Sequence, residues 1–447
     1  MWGIVSGSNS IWLPSSLSAF ACSTTWPSSG VICCRQQGEG VLGGTVVGID
    51  VGTTKICTLV AEVDDEGRLR IVGAGVVPSR GLRKGVIVSV DDAAAAIQAS
   101  IEKAERMSGY KIESAYVGVA GSHIQSLNTR GVVAIGRGDR PITQDDVDRA
   151  MEAAQAVAVP HNRQIIHAIP RGFSLDEQEG IRDPIGLMGY RLEVEAHLVT
   201  GAVTSLRNLA SCVEAAGIEI TAMVLQPLAS AEAVLRPEER EMGVVLVDAG
   251  GGTVDVAIFI EGSIWHSLVL PIGGNHVTND IAIGLRIPFD LAEELKCRHG
   301  HAIAEAVAPD EVVEVRSFAQ GPERLVSRRE LAAIVEARAE EICEMVLREI
   351  KRSGYDGLLP AGVVLTGGTA DLEGLVELGQ RLLGLPVRVG VPDDIEGLDE
   401  SIRGPAFATS VGILLWGLRH DSEQGRRRDR RERRPRFLDW LKELLPR

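Results

Sequence analysis

The chain has 447 residues, too many for one ordinary domain, and with aromatics at only 4% its cores must be built from Val, Leu, Ile and Ala. A formal charge of −15 argues against nucleic acid as a partner, and seven cysteines without a C-x-x-C pair argue against a disulfide framework and for a reduced, cytoplasmic chain. The charge is uneven: residues 421–447 carry ten Lys/Arg against six Asp/Glu, a balance of +4 that leaves −19 on the remainder, so the tail rather than the body suits an anionic surface.

Residues 1–44 hold three of the six tryptophans and no charge before Arg35. Without a positive n-region, and broken by Pro14 and polar runs, this stretch reads as a disordered leader or a start assigned too early. From Thr45, TVVGIDVGTTKICTLVAEV predicts a strand, a glycine turn and a second strand, and RLRIVGAGVVPS a third. A helix over Asp91–Met107 and a buried strand, SAYVGVAG, complete a β-β-β-α-β order, which implies a mixed sheet covered by helices. After Leu127 the texture changes to short strands (RGVVAIG, RQIIHAIP, YRLEVEAHLV) around one helix, Thr143–Ala156, with Thr143 as N-cap and Asp145, Asp146 and Asp148 favouring its dipole. This is the texture of a small inserted α+β subdomain. SLRNLASCVEAAG then predicts a helix, and IEITAMVLQPLASAEAVL a strand running into a helix.

MGVVLVDAGGGTVDVAIFIEG repeats the opening scheme, with Asp248 aligned over Asp50, which points to two related halves facing each other. The cluster Cys297, His299 and His301 reads as a solvated loop after a helix, since a metal site needs a further ligand. A long helix is expected over Ser327–Ser353, with Ser327 and Glu330 at capping-box spacing and Leu331, Ile334, Val335, Ile342, Met345 and Val346 on one face. GVVLTGGTADLEGLVELGQRLLG predicts a strand, a glycine turn and a helix, and FATSVGILLWGLRH a closing helix.

Three glycine turns carry the chemistry. In Asp50-Val51-Gly52-Thr53-Thr54-Lys55, missing Cβ atoms let backbone N–H groups approach phosphate, while the Thr hydroxyls and Lys55 add donors. Asp248-Ala249-Gly250-Gly251-Gly252-Thr253 offers the same equipment, and two facing carboxylates suit a hydrated Mg²⁺. Thr366-Gly367-Gly368-Thr369 opens a helix, where backbone can lie against a nucleoside. Neither a Walker A loop nor a Rossmann fingerprint is present.

DVGTTK, DAGGGTVD and LTGGTA in this order resemble the two phosphate turns and the adenosine turn of the actin-like ATPases. The resemblance implies an α/β, actin-like ATPase fold: two lobes around a nucleotide cleft, with the small α+β subdomain inserted in the first lobe. It implies ATP and Mg²⁺ as cofactors, the metal held by Asp50 and Asp248 through water. Gly52, Thr53, Thr54, Lys55, Gly250, Gly251, Gly252 and Thr253 would cradle phosphates. Gly367 and Gly368 would meet the adenosine, Glu293 and Lys296 would flank it, and Gln226 would orient an attacking water.

Within that superfamily the insertion after SAYVGVAGSHIQSLNTRG, the run GGNHVTNDIA…AEELK and the ending are similar to the FtsA family of bacterial division proteins. The implied division is first-lobe core 45–126 with 201–242, insertion 127–200, second-lobe core 243–285 with 354–386, second-lobe small subdomain 286–353, and a return to the first lobe over 387–420. A basic linker, 421–436, and an amphipathic helix, 437–447, follow. The family implies ATP binding with at most slow hydrolysis, self-assembly, and the FtsZ C-terminal tail as partner. That tail would dock on 286–353, with Arg328, Arg329 and Arg338 as candidate contacts. Other division proteins would use the insertion, and the expected place is the cytoplasmic face of the membrane at the septum. The alternatives are a pilus-assembly relative and a small-molecule kinase of the same fold.

The ending is read from its own spacing. Phe437, Leu438, Trp440, Leu441, Leu444 and Leu445 fall on one side of a helix and Asp439, Lys442 and Glu443 on the other. Three turns, about 15 Å, cannot span ~30 Å of hydrocarbon but can lie in the interface, behind the stretch GRRRDRRERRPR with its eight arginines against two acids. A membrane anchor is expected, too weak alone and therefore helped by assembly.

Overall fold

The computed structural model describes residues 44–432 apart from 65, 137–139, 158, 316–323, 394 and 398–401, with side chains as far as His420. The expected leader up to residue 43, the amphipathic segment 437–447 and the end of the linker lie outside the described residues.

The first lobe opens with β1 (Thr45–Val51), β2 (Lys55–Val63) and β3 (Leu69–Pro78), followed by a short hairpin of β4 (Leu82–Arg83) and β5 (Val86–Ile87), helix α1 (Val90–Ser108) and β6 (Ser114–Val119). The insertion comprises β7 (Gln125–Ala134), α2 (Gln144–Gln155), β8 (Arg163–Leu175), β9 (Gln178–Ile181) and β10 (Arg191–Ala202). The chain returns through α3 (Val203–Ala215), β11 (Glu219–Leu225), α4 (Gln226–Val234) and α5 (Pro237–Met242). The second lobe holds β12 (Val244–Ala249), β13 (Val254–Ile260), β14 (Ser263–Leu270), α6 (Gly274–Leu285), α7 (Phe289–His299), β15 (Val312–Val315), β16 (Arg324–Ser327), α8 (Arg328–Ser353), β17 (Val363–Thr366), α9 (Leu375–Leu383) and β18 (Val387–Val389). Helix α10 (Ala408–Glu432) closes the described chain.

The internal repeat is visible in the topology. The first sheet runs β3-β2-β1-β6-β11 and the second β14-β13-β12-β17-β18, with the same alternation of antiparallel and parallel neighbours. Asp50 and Asp248 occupy equivalent places near the ends of β1 and β12, opposite Cys57 and Asp255 respectively. Central strands such as β12 and β13 are buried at every position, because helices cover both faces; their sequences are accordingly near-continuous apolar runs rather than alternating ones. Each fully buried Val, Leu or Ile there contributes about 1.5–3 kcal/mol.

The insertion is a four-stranded sheet, β7-β10-β8-β9, backed by α2. At the α2 N-terminus the Thr143 N–H and hydroxyl both donate to Asp146, at 2.9 and 2.8 Å, and Arg140 holds that carboxyl well below the usual range. The sheet also touches the second lobe. Ser126 Oγ donates to the Ser267 carbonyl (2.6 Å) and Asn128 Nδ2 to the Trp265 carbonyl (3.1 Å), while Arg171 lies over the Trp265 ring.

Two local expectations are corrected. Ser327 caps α8 by position but makes no side-chain capping bond with Glu330; it is also the last residue of β16, paired with Val312, so strand geometry claims its backbone. The chain expected to leave its closing helix for a basic linker over 421–436 is helical as far as Glu432, since α10 does not stop at His420.

Candidate functional site

The first two glycine turns are built alike. Gly52 N–H donates to the Lys55 carbonyl at 3.1 Å and Gly250 N–H to the Thr253 carbonyl at 2.9 Å, so each turn is closed by its own backbone. The turns face each other closely. A Cβ on Gly252 would lie 2.6 Å from Thr53 Oγ1, and one on Gly251 would collide with Thr54 Oγ1. Only glycine admits the opposing threonines. Thr53 Oγ1 is itself held by the Gly85 N–H at 3.1 Å.

The third turn comes against the second. Gly367 has φ +81°, a left-handed conformation suited to glycine, and a Cβ there would strike Asp248. Thr369 donates to the Gly250 carbonyl (3.1 Å), and the first amides of α6, at Gly274 and Asn275, donate to the carbonyls of Gly250 and Gly251. Gly368 has open space beyond Ala406 Cβ at 3.6 Å. Glu293 and Lys296 form an ion pair at 2.7 Å on α7, and Lys296 Nζ reaches Thr278 Oγ1 (3.0 Å) and the Gly274 carbonyl, beside the same turn. Lys55 Nζ lies 3.1 Å from the centroid of the Phe407 ring.

Both aspartates are buried and hydrogen-bonded from behind. Asp50 accepts from Gln226 Nε2 on Oδ1 (2.9 Å) and from the Ser410 hydroxyl on Oδ2 (2.8 Å). Asp248 Oδ2 accepts from the hydroxyls of Ser230 (2.5 Å) and Thr409 (2.9 Å). Burial pushes the Asp50 carboxyl up to about 6, against the opposing pull of Ser410 and Lys55, and it raises Asp248 as well. Asp255, cross-strand from Asp248, is raised well above the usual carboxylate range by burial and by the Asp248 charge, and its Oδ1 has no hydrogen-bond partner among the described residues.

A buried pair of acids with raised pKa values gains from a cation that neutralises them. No three ligating side chains stand close enough together, among the described residues, to chelate a metal directly. The donor set therefore fits a hydrated Mg²⁺, which keeps several waters and needs few carboxylates.

The structure thus brings Asp50, Gly52–Lys55, Gln226, Asp248, Gly250–Thr253, Glu293, Lys296, Gly367 and Gly368 together about the facing turns. Arg328, Arg329 and Arg338 stand apart on α8, occupied internally. Arg328 pairs with Glu311 (2.7 Å) and Glu373 (3.0 Å), Arg329 donates to the Val307 carbonyl, and Arg338 pairs with Asp280 (2.6 Å) and Glu341. Phe437, Leu438, Trp440, Leu441, Leu444 and Leu445 fall outside the described residues. Sequence reasoning missed Ser230, Thr409, Ser410 and Asp255. An acid inside the apolar run VDVAIFI, and Ser230 one helical turn after Gln226, were the available signals.

Comparison with known proteins bears on the family and the fold. The model of the family "Cell division protein FtsA" matches residues 245–412, and that of the "SHS2 domain inserted in FTSA" matches residues 121–200. Cell division protein FtsA of Pseudomonas aeruginosa is 46% identical over 381 residues, 85% of this chain and 91% of that one. The Bacillus subtilis protein of the same name is 42% identical over 85% of each chain, and the Escherichia coli K12 protein 38% identical over 83% of this chain and 90% of that one. Among solved structures, a PilM-PilN type IV pilus biogenesis complex superposes with TM-score 0.61 at 15% identity, covering 83% of this chain and 98% of the other. MreB5 of Spiroplasma citri bound to AMPPNP superposes with TM-score 0.52 at 14% identity, covering 85% and 98%. At these identities the structures establish the fold, which is actin-like.

Proposed function

The chain belongs to the FtsA family of cell-division proteins, and from that premise we propose that it is an ATP-binding adaptor that tethers FtsZ filaments to the inner face of the cytoplasmic membrane. One observation carries this reading: helix α10 begins between the carboxylates of the two lobes and leads toward the basic, amphipathic terminal sequence. A nucleotide cleft and a membrane-directed tail are joined by one element.

In this reading the turns 52–55 and 250–253 cradle the phosphates of ATP, and Gly367, Gly368, Glu293 and Lys296 border the nucleoside. Asp50 and Asp248 would hold Mg²⁺ through water, and the metal supplies charge neutralisation to the phosphates. Gln226, already bonded to Asp50, would orient the attacking water in a slow hydrolysis. The FtsZ tail would dock on residues 286–353. Its acids would exchange with Glu311, Glu373, Asp280 and Glu341 for Arg328 and Arg338, pairs that are part-exposed and therefore weak, and Arg329 would join them. Other division proteins would use the insertion. Self-assembly at the septum would multiply a weak anchor into firm attachment.

Co-flotation with anionic liposomes tests the reading, using the full chain and a version ending at Glu432, which leaves α10 whole. Flotation of the full chain alone, strengthened by Mg-ATP, is expected. Equal behaviour of the two would remove the anchor and with it the tethering role.

A further inference from the structure

Helices α4 and α10 cross where Gly412 packs on Ala229; a Cβ on Gly412 would collide with the Ala229 carbonyl. At this crossing each helix sends one donor to each lobe's carboxylate. From α4, Gln226 serves Asp50 and Ser230 serves Asp248; from α10, Ser410 serves Asp50 and Thr409 serves Asp248. Ser230 and Thr409 also lie 2.9 Å apart, and all four donors are buried.

Thr409 and Ser410 are consecutive, so their side chains leave the helix about 100° apart, as 3.6 residues per turn requires. One rigid turn of α10 can satisfy both carboxylates only at one mutual spacing of the lobes. Hydrogen bonds from hydroxyls to buried carboxylates are strong and directional, so they fix which lone pairs each carboxylate turns toward the cleft. Outer partners of this kind tune a metal-facing acid even though they never touch the metal.

We propose that Thr409 and Ser410 are positioning residues of the nucleotide cleft, setting the spacing and orientation of Asp50 and Asp248, and that α10 is consequently the element that registers cleft occupancy. The inference rests on the nucleotide reading above. It also ranks the two residues. Asp248 keeps Ser230 when Thr409 is lost, whereas Oδ2 of Asp50 has Ser410 alone among the described donors, so Ser410 matters more.

The test uses the full chain with Ser410→Ala, Thr409→Val and the conservative pair Ser410→Thr and Thr409→Ser. Affinity for a fluorescent ATP analogue is measured with saturating Mg²⁺ and in EDTA. Amide exchange in the first turn of α10 is followed with and without Mg-ATP. The expected result is a fall of roughly tenfold or more in the Mg²⁺-dependent gain for Ser410→Ala, a smaller fall for Thr409→Val, unchanged affinity in EDTA, and recovery in the conservative pair. Mg-ATP should slow exchange in the first turn of the wild-type helix, and Ser410→Ala should abolish that response. An unchanged Mg²⁺-dependent gain, an equal loss in EDTA, or a wild-type α10 whose exchange ignores bound nucleotide overturns the inference while leaving the nucleotide reading intact. Should Ser410→Ala fail to fold, Thr409→Val carries the same two readouts. A wild-type protein that binds no nucleotide removes the reading itself, and the inference with it.

Discussion

Gln226 and Ser230 stand one helical turn apart on α4 and hold carboxylates of opposite lobes, Gln226 Nε2 donating to Asp50 at 2.9 Å and the Ser230 hydroxyl to Asp248 at 2.5 Å. The i, i+4 spacing that puts both on one face of the helix makes this possible. Removing either donor should therefore affect one lobe's acid without unseating the other.

For Gln226 this separates two roles. In Gln226→Ala, Asp50 retains Ser410, so nucleotide binding should persist while single-turnover hydrolysis falls roughly 100-fold, the scale of a lost water-positioning group. Turnover equal to wild type would leave Gln226 as a support for Asp50 only.

Gly251→Ala and Gly250→Ala form a matched pair. The first drives a methyl into Thr54 Oγ1, and the second meets only the Thr253 carbonyl oxygen at 3.3 Å. Overpacking costs about 1–3 kcal/mol, so Gly251→Ala should force the turns apart and lower ATP affinity. Gly250→Ala should cost the nucleotide-free protein much less stability than Gly251→Ala. Thermal unfolding of both variants without nucleotide decides it, and equal losses would contradict the facing-turn geometry.

Asp50 offers a pH test of opposite sign to the usual carboxylate. Burial raises it from 3.8 to about 6, so its contribution to stability is full below pH 3.8 and is lost as pH rises through 6. Above that, an ionised Asp50 costs the nucleotide-free protein about 3 kcal/mol. Asp50→Asn should then melt higher than wild type at pH 7.5, with no advantage near pH 4, while losing Mg²⁺-dependent nucleotide binding. Thermal scans without nucleotide at the two pH values suffice. A lower melting point at pH 7.5 would contradict the burial account.

His197 works in the other direction. Nδ1 lies 2.7 Å from Asn128 Oδ1 and Nε2 lies 2.9 Å from Ser267 Oγ; a ring protonated at Nδ1 and accepting from the serine satisfies both. Burial lowers its pKa from 6.5 to about 3, so stability is full above 6.5 and declines as pH falls toward 3. Acidification from pH 7 to 5 should cost about 2 kcal/mol through this residue. His167, lowered to about 4, adds to the wild-type slope, so the comparison with His197→Gln isolates His197. Urea unfolding at both pH values should show a shallower dependence in the variant, and identical slopes would rule His197 out.

The repeat of Asp50 over Asp248 was legible because strand, acid and glycine turn recur in one order, and the two sheets share that order in space. The short segments RGVVAIG, RQIIHAIP and YRLEVEAHLV likewise announced strands of the insertion. Thr409 and Ser410 were silent for a physical reason: two hydroxyls at the start of a helix match ordinary capping chemistry, and only the crossing of α4 and α10 aims them at acids far away in sequence. Asp255 was the missed legible case, since an acid in a wholly buried strand calls for an explanation. The capping box at Ser327 failed because spacing alone does not show that a neighbouring strand holds the backbone.

The contacts of the insertion with β14 alter the mechanics of the whole molecule. By sequence the insertion belongs to the first lobe, yet Ser126, Asn128 and His197 fasten it to Trp265 and Ser267 of the second. Two lobes joined only by crossing helices could swing freely, like a door on its pins. A strap on one flank restrains that freedom on the side of the insertion. Whatever grips the insertion from outside then pulls on both halves together.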